Sequence, residues 1–226
     1  MVSRRVKENT AKVDVEKVYS MAEAFDLLKS LRTAKFDETV EVVVRLGVDP
    51  KKSDQMVRGA VSLPHGLGKT VRVIAFAEGS AADDAREAGA SEVGGDDLAE
   101  RINGGWTDFD IVVAHPSMMR VVGKLGRVLG PQGKMPSPKS GTVTPNVGQA
   151  VREFLAGKIE FRVDAGSNVH VPVGKISFGS NMLEDNARAF LEYVLTLRPA
   201  TAKGHYLRRV SVSSTMGPGL HVEFAS

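Results

Sequence analysis

Ser20 to Leu31 (SMAEAFDLLKSL) carries apolar side chains at helical spacing, with Ser20 as N-cap and Glu23 three residues on. That is the signature of a capped helix start. Thr39 to Val48 (TVEVVVRLGV) is β-branched and partly alternating and predicts a strand; Val57 to Leu63 predicts a second. Pro64-His65-Gly66-Leu67-Gly68-Lys69 then reads as a connector. The pattern changes beyond it. The apolar run Val71 to Ala77 precedes a helix over about Ala81 to Ala88, a short strand at Glu92-Val93, and a helix over about Asp97 to Ile102. Phe109 to Ala114 (FDIVVA) is again strand-like, and a helix starts near Pro116. Strands alternating with short helices imply a parallel sheet of βαβ units.

Pro145 to Ala156 (PNVGQAVREFLA) predicts a helix, with Thr144 as N-cap and Pro145 in the first turn. Gly157 breaks it. Ile159 to Val163 and Val169 to Ser177 read as a hairpin turning at Asp164 to Asn168, and Asn181 to Leu197 is the longest helix. Arg208 to Ser214 and Leu220 to Phe224 read as strands around Thr215-Met216-Gly217-Pro218-Gly219. The fold class is therefore α+β and α/β. A discontinuous two-layer α+β domain (1–66 and 158–226) would carry an inserted Rossmann-like α/β domain (67–157). Gly66, Gly68 and Gly157 would lie in the two strands of one hinge, an arrangement made feasible by the usual proximity of domain termini.

Composition adds little until it is resolved along the chain. The 226 residues have 42% hydrophobic and 25% charged side chains and a net charge of only +3, ordinary for a globular protein. Residues 111–152 hold no Asp or Glu, although the whole chain has 27. Arg120, Lys124, Arg127, Lys134, Lys139 and Arg152 are the only charges there, all positive. Five glycines and three prolines between Gly123 and Gly141 argue against a long helix or a central strand. The segment reads as an ordered loop of exposed amides and cations, a surface for polyanions, or else as a solvated basic loop. With no cysteine in the chain, disulfides and thiolate metal sites are excluded. The N-terminal stretch has cations but no apolar run of the secretory type, and no stretch approaches a membrane span.

Enzyme chemistry finds no positive residue. Gly68-Lys69-Thr70 ends like a phosphate-binding P-loop, but Leu63 stands where the motif needs glycine, and the strand follows the loop. No GxGxxG or GxSxG pattern occurs, and His65, His115, His170, His205 and His221 lack metal-ligand spacing. Asp83, Asp84, Asp96 and Asp97 fit helix starts better than an acid–base pair. A nucleotide-dependent enzyme built on 67–157 and a duplex-DNA regulator are the competing classes, but no helix presents a dense basic face for a major groove. Thr215-Met216-Gly217 offers a hydroxyl, an unbranched apolar arm and a glycine at a strand-to-strand tip, which suits the shallow minor groove of RNA. An ordinary turn with a gap-filling Met is the plain alternative. Lys35-Phe36 similarly offers a cation and a ring, or a core phenylalanine.

Seven segments in order carry a resemblance: AKFDETVE (34–41), SDQMVRGAVSLPHGLGK (53–69), EAGASEVGG (87–95), KLGRVLGPQGKMPSPKSGTV (124–143), IEFRVD (159–164), VHVPVGKISF (169–178) and STMGP (214–218). Across nearly its whole length the chain resembles the bacterial L-one family of large-subunit ribosomal proteins, the proteins of the mobile ribosomal stalk. The resemblance implies no enzyme and no cofactor. Its implied partners are large-subunit ribosomal RNA, exit-site tRNA whose release it assists, its own operon's messenger, which it represses, and other ribosomal components. It implies a cytoplasmic, ribosome-bound protein with no membrane partner, monomeric off the ribosome. RNA contacts would fall on Phe36, Thr215, Met216 and Gly217, then Lys35, with Arg162, Asp164 and His170 secondary. Lys124, Arg127, Lys134 and Lys139 would be auxiliary RNA contacts. Ser213-Ser214 stand where many relatives carry threonines, and Gln132 and Lys134 vary within the Gly/Pro segment.

Overall fold

The computed structural model describes residues 4–14, 16–31 and 34–224. In chain order the strands are β1 (Val18–Tyr19), β2 (Thr39–Leu46), β3 (Arg58–Ser62), β4 (Val73–Phe76), β5 (Glu92–Gly94), β6 (Ile111–Ala114), β7 (Lys158–Arg162), β8 (Asn168–Lys175), β9 (Leu207–Ser214) and β10 (Leu220–Val222). The α-helices are α1 (Arg4–Ala11), α2 (Met21–Ser30), α3 (Ser80–Glu87), α4 (Asp96–Asn103), α5 (Met119–Lys124), α6 (Gly126–Leu129), α7 (Val147–Leu155) and α8 (Ser180–Thr196). The chain divides into two compact units, Met1–Gly68 with Phe161–Ser226, and Lys69–Glu160. Among the described residues no helix is long and apolar enough to cross a membrane.

The first unit is built on a five-stranded sheet of order β1-β10-β9-β2-β8. β1 runs parallel to β10 and the other pairs are antiparallel. Strand alternation decides its two faces. Val40, Val42, Val44 and Leu46 of β2, Val169, Val171 and Val173 of β8, and Val210 and Val212 of β9 are buried. α2 and α8 cover that side, bringing Phe25, Leu28, Leu183, Ala187, Phe190 and Leu191 into the core. The α2 start forms as its sequence predicts. The Ser20 hydroxyl accepts the Glu23 amide and the Glu23 carboxylate accepts the Ser20 amide.

The expected hairpin of β7 and β8 does not form. β7 pairs with β3 in a separate two-stranded sheet, while β8 joins β2. The intervening turn redirects the chain between sheets. Asp164 Oδ1 accepts the amides of Gly166 at 2.8 Å and Asn168 at 2.7 Å, and Ser167 takes a left-handed φ of 66°.

The second unit centres on a parallel sheet of order β5-β4-β6. β4 is buried on both faces, as a parallel strand between helix layers must be. Val73 and Ala75 pack with Ala82, Ala85, Val151 and Phe154 of α3 and α7. Ile74 and Phe76 pack with Leu98 and Ile102 of α4, Val122 of α5, Leu129 of α6 and Leu125 between α5 and α6. The Gly/Pro segment is therefore helical at its start, because Val122, Leu125 and Leu129 are fully buried. Gly123 and Gly126 lie between them with open space about their Cα atoms.

The helix predicted from Pro145 starts later, at Val147, and its N-cap is Asn146 instead of Thr144. The reason is tertiary. Val143 bridges Ala114, and the Thr144 amide donates to the Ala114 carbonyl at 3.1 Å, which keeps the chain extended. The acids do sit near helix starts, Asp83 in α3 and Asp96 and Asp97 in α4. Hydrogen bonds from the Gly95 and Leu98 amides hold the Asp97 carboxyl below its usual range.

Candidate nucleic-acid interface

Helices cover one face of the five-stranded sheet; the other face carries the opposite parity of side chains. Cross-strand register lines them up. His170, Val43, Ser211, His221 and Val18 form one row over β8, β2, β9, β10 and β1. Pro172, Glu41 and Ser213 form the row on one side, and Asn168, Arg45 and Arg209 the row on the other. These positions are half-buried or exposed, with Val18 at 57%. The Ser211 hydroxyl lies 3.0 Å from His221 Nδ1.

At one end of this sheet β2 begins and β9 ends, since Val40 pairs with Ser214. Two segments therefore meet there: the loop 34–38 entering β2, and the Thr215–Gly219 turn leaving β9. They are tied by five bonds. The Thr215 amide donates to the Thr39 carbonyl at 3.0 Å, the Thr39 amide donates to the Thr215 hydroxyl at 3.0 Å, and that hydroxyl donates to the Thr39 carbonyl at 3.2 Å. The Met216 amide donates to Glu38 Oε2 at 3.0 Å, and the Ser214 hydroxyl bonds the same carboxylate. Gly217 donates its amide to the Ser214 carbonyl, and a Cβ at Gly217 would collide with the Ser214 hydroxyl oxygen.

The consequence is a rigid rim with apolar tips. Phe36 is 54% exposed and Met216 49% exposed, Met216 on a main chain held by Glu38 and Phe36 in a loop closed by the bond from the Ala34 amide to Glu38. Large apolar side chains held out to water beside polar groups mark interaction surfaces. Phe36 is thus at the surface and not in the core. Lys35 beside it is exposed as well.

Glu38 is a residue that the sequence does not single out. It is 1% exposed, yet its surroundings favour the ionised form. Burial pushes its pKa up, but the Ser214 hydroxyl, the Ala34 and Met216 amides and the Arg5 charge together hold it below its usual value. Nothing local in FDETVE distinguishes it from Asp37, whose carboxylate lies near the surface and takes the Ser177 hydroxyl at 2.7 Å.

The secondary candidates divide. Asp164 and His170 are brought together, with Nε2 of the ring 3.4 Å from the carboxylate. The Asn168 amide is the chief reason that the Asp164 carboxyl sits below its usual range, so this acid first of all holds its turn. His170 projects from the open face at the end of the central row. Arg162 lies on β7, outside that sheet, with its guanidinium 3.6 Å from Met56 Sδ.

In the second unit, Lys124, Arg127 and Lys139 are exposed, as is Arg120. Among the described residues none of the four has a carboxylate partner, as the absence of acids from 111–152 would suggest. Lys134 differs. Its ammonium donates to the carbonyls of Phe109 at 2.6 Å and Thr107 at 3.2 Å and lies 4.7 Å from the centre of the Phe109 ring. That cation is committed to its own unit. The glycines assigned to the connectors all have left-handed φ: 62° at Gly66, 65° at Gly68 and 111° at Gly157. Among the described residues no group of His, Cys, Asp and Glu is arranged to hold a metal ion.

Comparison with known proteins bears on the family. The model of the ribosomal protein L1p/L10e family matches residues 28–218. The chain is 55% identical over 221 residues to large ribosomal subunit protein uL1 of Protochlamydia amoebophila, covering 98% of this chain and 94% of that one. It is 57% identical over 221 residues to the protein of the same name from Cutibacterium acnes, covering 98% and 95%. A third such protein, from Francisella tularensis subsp. novicida, is 54% identical over 224 residues, covering 99% and 97%. With a family match spanning both compact units and relatives aligned almost end to end, the chain belongs to the ribosomal protein L1p/L10e family.

Proposed function

We propose that this protein is a structural component of the large ribosomal subunit, located on the cytoplasmic ribosome, that binds ribosomal RNA and catalyses nothing. The observation that carries the reading is the rim at the end of the open sheet, where Phe36 and Met216 stand half-exposed on backbone fixed by Thr39, Thr215 and Glu38. Apolar tips on a rigid edge suit the wide, shallow minor groove of RNA, where sugars and 2′-hydroxyls are displayed. Gly217 lets the turn close on Ser214, whose hydroxyl oxygen a Cβ there would strike, and so holds the Met216 tip in place. Ser211, Ser213 and His170 on the open face supply hydrogen-bonding groups for sugars and phosphates, and Lys35, Arg45 and Arg209 supply salt-sensitive attraction. The Asp164–His170 pair would extend this surface at β8, and Arg162, on β7, would be a separate secondary contact.

Three finer roles belong to the same proposal and rest on the motif resemblance: contact with exit-site tRNA and help with its release, repression of the protein's own operon through its messenger, and a monomeric state off the ribosome. Lys124, Arg127 and Lys139 would add an auxiliary RNA contact. The discontinuous domain and the inserted domain would be joined through a hinge at Gly66, Gly68 and Gly157.

The test is a titration of the stalk-base fragment of large-subunit ribosomal RNA, with duplex DNA of equal length as competitor. Wild type should retain the RNA against the competitor. Met216→Asp should weaken binding by about 2–4 kcal/mol, by setting an unpaired charge against the RNA. Equal loss of wild type to DNA, or undiminished binding by the variant, would refute this face as the RNA site.

A further inference from the structure

Glu38 is buried beneath the surface that faces RNA in the reading above, and it is tied to both halves of that surface. Oε1 accepts the Ala34 amide, which closes the loop carrying Lys35 and Phe36 at its tip. Oε2 accepts the Met216 amide at 3.0 Å, and Ser214, the last residue of β9, adds its hydroxyl. The main chain of Glu38 is anchored too, its carbonyl accepting the Ile176 amide at 2.8 Å. From α1 the Arg5 guanidinium comes within 3.7 Å of Oε1. A side chain 1% exposed thus gathers α1, the Phe36 loop and the Met216 turn at a single carboxylate.

We propose that Glu38 is a positioning residue for RNA binding: its buried carboxylate, balanced by Arg5, sets the spacing between Phe36 and Met216. The inference rests on the RNA-binding reading and deepens it. Its chemistry is specific to a carboxylate. Two amides, one hydroxyl and one guanidinium all approach as donors, and a carboxylate is an acceptor at both oxygens. A glutamine of the same size must turn an NH2 group toward one set of these donors. That frees either the loop or the turn while leaving the packed volume unchanged. A group that only stabilised the unit would show its loss in melting alone. One that positions both tips should show it in affinity, and only while both tips are present.

The experiment measures binding of the stalk-base RNA fragment by wild type, Glu38→Gln, Phe36→Ala, Met216→Ala and the double variant Glu38→Gln/Met216→Ala. It is done well below the melting temperature of each, with amide chemical shifts of Ala34 and Met216 recorded alongside. Glu38→Gln should bind roughly tenfold more weakly, the scale of one lost charge-assisted hydrogen bond. Either the Ala34 or the Met216 amide should shift. In the Met216→Ala background the further loss should shrink to within about twofold, because the spacing that Glu38 sets matters only while both tips are present. Arg5→Met is the second variant and should weaken binding in the same direction; it carries the test if Glu38→Gln does not fold. Wild-type affinity in a folded Glu38→Gln, or a fully additive double variant, would overturn the proposal. So would wild-type affinity in Arg5→Met. If Met216→Asp binds as wild type does, the RNA face itself is misassigned and both readings fall. If Met216→Asp weakens binding and Glu38→Gln does not, only the positioning role falls.

Discussion

The carboxylate of Glu38 accepts the main-chain amide of Met216 at 3.0 Å, joining residues 178 positions apart in the chain. Burial opposes its ionisation, but Ser214, Ala34, Met216 and Arg5 favour it, and the net effect is a pKa below the ordinary 4.5. A carboxyl with a lowered folded-state pKa stabilises the fold fully above its unfolded value, and that contribution is lost as pH falls through the folded value. Thermal melts of wild type and Glu38→Gln, run from about pH 7 to about pH 3, isolate the effect, since the other acids titrate in both proteins. The stability gap should be widest at neutral pH and narrow below pH 4.5. A gap that stayed constant with pH would mean that the lost stability is not that of an ionised group.

Asn186 holds the start of the connector to the first unit. It is completely buried in α8. Its side-chain carbonyl accepts the His65 amide at 3.0 Å, and its amide donates to the carbonyls of Val173 at 2.7 Å and Gly66 at 3.0 Å. Asn186→Ala strands three main-chain groups, two of them in the turn that follows β3. Each orphaned group costs about 1–3 kcal/mol when buried, so the expected loss is on the order of 3 kcal/mol after partial hydration of the turn. Urea denaturation checks it. Asn186→Asp offers no amide donors to the two carbonyls and should be no better than alanine.

Gly68 carries a second constraint on the same connector. Its φ is 65°, and a Cβ there would stand 2.6 Å from the Phe178 ring. Gly68→Ala should therefore destabilise the first unit by more than about 1 kcal/mol, combining left-handed strain with a ring that must move. In Gly68→Ala/Phe178→Ala the steric part should be relieved, and denaturation of the pair would show a smaller cost of Gly68→Ala than in wild type. Equal costs in both backgrounds would assign the whole effect to backbone strain.

How much of this is legible in the sequence depends on the range of the interactions. Ser20 and Glu23 announce the start of α2 because the capping box is complete within four residues. The alternation of Thr39–Leu46 announces both a strand and a two-faced sheet. β7 and β8 read as a hairpin and are not one, because pairing partners are set by tertiary packing and adjacency in the chain is only a guide to them. α1 and β1 have no usable pattern: the helix buries little beyond Asn9, and the strand is two residues long. Phe36, Thr215, Met216 and Gly217 stand out by type and motif, and they lie at the same end of the sheet. The row His170, Val43, Ser211, His221 has no signature along the chain, since it exists only through the register of four strands. Glu38 is invisible for the same reason. Its burial depends on α1 and on a turn at the far end of the chain.

Lys134 tests how far a basic run can be read as a basic surface. By composition it is equivalent to Lys124 and Arg127, its neighbours in the acid-free segment. Its ammonium, however, donates to the carbonyls of Thr107 and Phe109 and lies on the Phe109 ring, whereas Lys124 and Arg127 are exposed. The two kinds of cation should separate cleanly. Lys134→Met should destabilise the second unit by about 1–3 kcal/mol, by orphaning two partly buried carbonyls and removing the cation from the ring, and leave the salt dependence of RNA binding as in wild type. Lys124→Ala/Arg127→Ala should leave stability within about 0.5 kcal/mol, because surface changes seldom cost more. If these two cations meet phosphates, the pair should lower the slope of log affinity against log salt by roughly 2, since each phosphate neutralised contributes about 0.9. Denaturation curves and a salt series on the same three proteins suffice. A reduced slope in Lys134→Met would mean that its internal bonds yield to RNA, and an unchanged slope in the double variant would remove Lys124 and Arg127 from the binding surface.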